Sequence, residues 1–212
     1  MPNWCENRVS FSGPAEDLEK LKKLIGTDEQ PISFQKIKPM PQALDMASGS
    51  SILGYEVVYG DVVKVLGYPW VKAAGITTRE ELIRHLEKER PEYLEAAEQY
   101  KSNIDRYGFS DWYGWRIANW GTKWDVGAND IQVVDDSSGY LSLEFYTAWS
   151  PPEGIYDALL ELIDENNWMC MPLGSMTNPV CSSPVICRKH QPRQGDHRPD
   201  GSGLPDVQPK ET

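Results

Sequence analysis

The chain has no apolar run approaching the roughly 18 residues of a membrane helix, only three histidines and four cysteines, and far fewer basic than acidic side chains. Each scarcity excludes something. A membrane-spanning helix is not expected. The opening "MPNWCENRVS" carries no charged segment followed by an apolar one, so a secretory signal is not expected either. Cys5, Cys170, Cys181 and Cys187 make no tight framework, which points to a reduced, cytoplasmic setting. The formal net charge is -11, and the last 44 residues hold five Lys/Arg against four Asp/Glu, so the first 168 carry -12. A body that acidic repels phosphate, and non-specific affinity for nucleic acid comes mostly from neutralising phosphates. Direct nucleic-acid binding is disfavoured; an acidic surface suits a basic protein partner, set against the commoner reading of a solvated surface that aids solubility.

What is abundant is aromatic and apolar surface: eight Trp and ten Tyr in 212 residues, with 40% hydrophobic content, enough for a real core. "NWCENRVSFSG" alternates with period two, Cys5, Val9 and Phe11 to one face and Glu6, Arg8 and Ser10 to the other, as in a strand. "GPAEDLEKLKKLIG" is a helix. Pro14 suits its start, Glu16 and Asp17 complement its positive end, and Leu18, Leu21, Leu24 and Ile25 form its apolar stripe. "PISFQKIKPMP" reads as extended, anchored by Phe34 and Ile37. "TTREELIRHLEKER" is a helix with a capping box from Thr77 or Thr78. Pro91 interrupts it, and a second helix follows to about Tyr107. "IQVV" and "YLSLEFYTAW" form a hairpin around "DDSSG". "SPPEGIYDALLELIDEN" is a last helix, with Ser150 as cap and Ile155, Leu159, Leu162 and Ile163 inward.

Strand, helix, insertion, strand, strand, helix, completed by one more strand, is the split β-α-β order of a ferredoxin-like α+β fold: an antiparallel sheet with two helices on one face. The expected organisation is a domain over 1–168 with a helical insertion at about 42–108, and a tail over 169–212. Seven of the sixteen prolines lie in that tail and apolar alternation stops at "NWMCM", so it is expected to be disordered.

Four blocks, "MPNWCENRVSFSG", "IKPMP", "WYGWRIANWGTKWD" and "FYTAWSPP", resemble the YubB-type ferredoxin-like proteins of plasmids, prophages and genomic islands. The resemblance covers about 1–40 and 107–167. It implies a ferredoxin-like fold and a mobile-element origin, but no activity, and the sequence departs from the family in its C-terminal segment.

The segment Asp111–Asp125 holds four of the eight tryptophans. Tyr113, Ile117, Trp120 and Trp124 recur at helical spacing as an apolar stripe, with Arg116, Asn119 and Lys123 on the polar side and Gly114 and Gly121 weakening the helix, which is expected to end near Asn119. The candidate interface is Trp112, Trp115, Arg116, Asn119, Trp120, Lys123, Trp124 and Asp125, set against the plainer reading that these indoles cover the sheet and dock the insertion. Trp4 and Tyr146 are alternative stacking platforms on the sheet, of the kind RNA-binding domains use, without the basic surround such domains have.

Lys123 with Asp125, and the set Asp135, Asp136 and Glu144, are the acid/base candidates. No nucleophile–base–orienter arrangement accompanies them, and Lys123 suits a cation–π contact with an indole better. Cys170, Cys181, Cys187 and His190 lack the tight pairs of a structural zinc site. No catalytic residue, metal or cofactor is assigned. The expected function is a non-catalytic accessory protein of a mobile element that binds a host or element protein, for example in counter-defence. A single-strand nucleic-acid binder is the alternative, and an enzyme of unknown type the third reading.

Overall fold

The computed structural model describes residues 3–168 and 171–175. It is a mixed α+β protein. β1 (Trp4–Ser12) places Cys5, Asn7, Val9 and Phe11 in the interior, as period two demands, and leaves Trp4 outside. β2 (Ile131–Ser137) and β3 (Tyr140–Ala148) form the expected hairpin, and β3 turns Leu141, Leu143 and Phe145 inward. β1 and β3 pair antiparallel from Trp4↔Ala148 to Ser12↔Tyr140. β2 lies outside β3 as an exposed strand with an irregularity between Val133 and Asp135, where Val134 is bulged out of the ladder.

The inward face of the sheet meets α1 (Ala15–Ile25), through Leu18, Leu21 and Ile25, and α10 (Glu153–Glu165), through Ile155, Leu159 and Ile163. Each such aliphatic side chain, fully buried, contributes about 1.5–3 kcal/mol. Asn7 is the polar member of this face, and it is satisfied. Its Nδ2 donates to the Cys5 carbonyl (2.9 Å) and to Thr147 Oγ1 (2.8 Å), and its Oδ1 accepts from the Tyr156 hydroxyl (3.0 Å). Burial pushes the Tyr156 hydroxyl well above its ordinary pKa, so it stays a donor.

The backbone of β4 (Met171–Ser175) runs antiparallel along β1, from Ser12↔Met171 to Arg8↔Ser175, and gives the order β2-β3-β1-β4. The expected tail boundary at 168 therefore falls short of a strand. The strand lies at the sheet's edge, where Pro172 is tolerated. The rest of the expected tail lies outside the described residues.

Between α1 and β2 the chain is helical. α2 (Phe34–Ile37) replaces the extended segment expected at "PISFQKIKPMP", although Phe34 and Ile37 anchor it as expected. α3 (Leu53–Val58), α4 (Val62–Leu66) and α5 (Pro69–Ala73) fill the first part of the expected helical insertion, where no individual helix is predicted. α6 (Arg79–Glu89) starts on the Thr78–Glu81 capping box, and Pro91 begins α7 (Pro91–Glu95), followed by α8 (Ala97–Tyr107). Val57, Val65, Val71, Ile76, Leu82 and Leu86 form a second core of their own, inside the expected insertion. α9 (Trp112–Trp120) then returns the chain to the first core. Among the described residues no helix is long and apolar enough to cross a membrane.

Candidate functional site

α9 is built from its caps inward. Asp111 Oδ1 accepts from the Tyr113 N–H (2.9 Å), and Gly121 ends the helix in the left-handed region at φ +86. Gly121 is required twice over, because a Cβ there would also lie 2.9 Å from the Pro151 carbonyl oxygen.

The inward face of α9 differs from the one expected. Tyr113 (47% exposed), Ile117 (41%) and Trp124 (38%) are outside, and of that stripe only Trp120 is buried. The true inward face is Trp112, Trp115 and Trp120, one step round the helix. Trp120 stacks edge-on against Trp115 (6.0 Å) and Phe34 (5.8 Å), and its indole N–H donates to the Lys38 carbonyl (2.8 Å). That hydrogen bond lets so large an amphipathic ring be fully buried. The expected stripe misled because aromatic residues occupy both sides of α9, so hydropathy alone could not fix its rotation.

The residues assigned to the polar side follow the same correction. Asn119 Nδ2 donates to the Trp115 carbonyl within its own helix (2.9 Å). The Arg116 guanidinium lies between the Trp112 and Trp120 rings, 5.2 and 4.8 Å from their centroids, with Nε buried and unpartnered. Burial pushes its pKa below the usual arginine value, and Asp125 and Asp45 pull it back up. Arg116 thus faces indoles of its own chain.

Lys123 Nζ sits 3.9 Å from the Trp124 ring centroid, the cation–π contact expected for it. Asp125 accepts from Ser33 Oγ (2.9 Å) and from the N–H groups of Phe34 (2.7 Å), Gln35 (3.1 Å) and Val126 (2.8 Å). It is the cap that makes α2 a helical turn. The other acid/base candidates also hold structure. Asp136 pairs with Lys22 (2.9 Å), Glu144 with Arg8 (3.4 Å), and Asp135 accepts from the Ser137 N–H (3.0 Å). The ring of His85 lies against Trp70 in the insertion (6.0 Å). Cys170, Cys181, Cys187, His190 and His197 lie outside the described residues. Among the described residues no group of three or more potential metal ligands occurs.

The surface that stands out is the outer face of the sheet. Trp4 is 51% exposed and Tyr146 47%. Trp124 joins them through a ring contact with Trp4, with centroids 6.2 Å apart and planes tilted by 39°. The loop carrying Trp124 is tied to the sheet's end by Thr122 Oγ1, which donates to the Ala148 carbonyl (3.0 Å). Trp149 continues the same end of β3. Exposed and held at φ 75, where a bulky side chain rarely sits, it donates its N–H to the Asn3 carbonyl (2.8 Å). Period-two alternation marked Trp4, Glu6 and Tyr146 as outward-facing, whereas no sequence signal brought Trp124 to Trp4 or singled out Trp149. No family model, curated protein or solved structure matches the chain.

Proposed function

We propose that this chain is a non-catalytic interaction protein of a mobile genetic element, acting in the cytoplasm, whose ferredoxin-like domain binds a protein partner through the outer face of its sheet. The strand order β2-β3-β1-β4 with antiparallel neighbours is that of a split β-α-β unit and supports the ferredoxin-like reading. The resemblance of four sequence blocks to the YubB-type proteins supports the mobile-element origin. A counter-defence role is the specific version of this reading, and it rests on that class of genes.

The observation that carries the proposal is the exposed pair Trp4 and Trp124, with Tyr146 on the same face. Large aromatics left in water on a rigid sheet are the residue types that dominate protein interfaces. The -12 of the first 168 residues favours a protein with a basic face over a nucleic acid.

The test is capture of host and element proteins on the immobilised full chain, alongside Trp4→Ala and Trp124→Ala. The expected result is a saturable partner whose retention falls about tenfold or more in both variants while each remains folded. A partner retained equally by all three proteins overturns the proposal.

A further inference from the structure

We propose that Trp4, Glu6, Tyr146 and Trp124 form a receptor for an arginine or lysine side chain, presented by a basic segment of the partner protein. The inference rests on the reading above and adds the chemistry of the ligand.

Glu6 stands directly opposite Tyr146 in the β1–β3 register, with Trp4 two residues before it on the same face. Directly opposed side chains in an antiparallel pair have Cβ atoms about 5 Å apart, and diagonal neighbours are within reach of long or aromatic ones. Trp124 joins the group through its ring contact with Trp4. The result is a carboxylate among three exposed rings, the combination that binds a cation by charge and by ring quadrupole together.

Two further observations fix the sign of the ligand. The Glu6 carboxylate has no hydrogen bond or ion pair among the described residues. The next residue on its face, Arg8, is committed elsewhere, to Glu144 (3.4 Å) and, through Nε, to Ser142 Oγ (3.1 Å). Lys123 already takes a face of Trp124, with Nζ 3.9 Å from the ring centroid, so Trp124 serves as a wall beside Trp4, and the ligand's cation meets Trp4, Tyr146 and the Glu6 carboxylate. The acidic body attracts such a ligand at long range and repels a phosphate chain.

The experiment titrates the full chain with a nona-arginine peptide at about 150 mM salt, where long-range attraction is largely screened. A thymidine oligonucleotide of similar length is titrated in parallel. Trp4→Ala and Glu6→Gln are each expected to weaken peptide binding roughly five- to thirtyfold. Glu87→Gln, the same charge change on the exposed side of α6, is expected to change it less than about twofold. Glu6→Gln replaces a surface side chain without altering its shape, so its result stands even if Trp4→Ala fails to fold. Absence of peptide binding, equal effects of Glu6→Gln and Glu87→Gln, or tighter binding of the oligonucleotide overturns the inference. A captured partner that depends on Trp4 but not on Glu6 would sink this inference and leave the interaction reading standing.

Discussion

Trp4 and Trp124 meet with their ring centroids 6.2 Å apart, although one begins β1 and the other lies in the loop beyond α9. The contact divides the tryptophans of the Asp111–Asp125 segment into two kinds. Trp115 and Trp120 are buried and build the core, whereas Trp124 reaches out of it to the face of the sheet.

That division predicts opposite outcomes for two similar substitutions. Trp120→Ala removes a fully buried ring and its hydrogen bond to the Lys38 carbonyl, and should cost about 3–5 kcal/mol. Trp124→Ala should cost less than about 1 kcal/mol. Urea denaturation of both variants checks the pair, and similar losses would place Trp124 in the core after all.

Asp125 is expected to matter for stability through α2. Asp125→Ala leaves the Phe34, Gln35 and Val126 N–H groups and the Ser33 hydroxyl without their acceptor, and should cost about 1–3 kcal/mol. Asp125→Asn keeps one acceptor oxygen and should fall between the variant and the parent in the same denaturation series.

Gly154→Ala separates local from tertiary effects. Helix propensity alone would make this change in α10 stabilising by about 1 kcal/mol. A Cβ there would lie 2.0 Å from the Asn119 carbonyl oxygen, so α9 and α10 could not keep their spacing. The net effect should be a loss of at least about 2 kcal/mol, and a rise in melting temperature would contradict the packing described.

The start of α6 should respond to acid. The N–H and hydroxyl of Thr77, with the N–H of Thr78, hold the Glu81 carboxyl below its ordinary pKa. A lowered folded-state value means stabilisation present above the unfolded value, about 4.3, and lost as pH falls through the folded one. Glu81→Gln should therefore destabilise at pH 7 and make little difference once the carboxyl is protonated. Thr78→Ala, which removes the other half of the box, should cost about 1 kcal/mol at neutral pH. Thermal melts of the two variants across pH check both.

Much of this fold was legible because it is local. Alternation found β1 and β3, the stripe of Leu18, Leu21 and Ile25 found α1, and the capping box found α6. What escaped depends on distant partners. Phe34–Ile37 is helical because Asp125 supplies a cap from far along the chain. Ser150, expected to cap α10, instead donates to the Gly121 carbonyl and holds the loop after α9. The rotation of α9 was misread because Tyr113 and Ile117 are as apolar as the residues that face inward. At the candidate site, Trp4, Glu6 and Tyr146 could be placed outward by period two alone, while the arrival of Trp124 beside Trp4 is tertiary.

Hydroxyl-radical footprinting of the full chain, alone and with its captured partner, tests the central claim most directly, because exposed aromatics on different surfaces report separately. The account predicts protection of Trp4, Trp124 and Tyr146, while Trp70 in the insertion and Tyr113 on α9, also exposed, remain reactive. Protection of Trp70 and Tyr113 with Trp4 and Trp124 unchanged would contradict it.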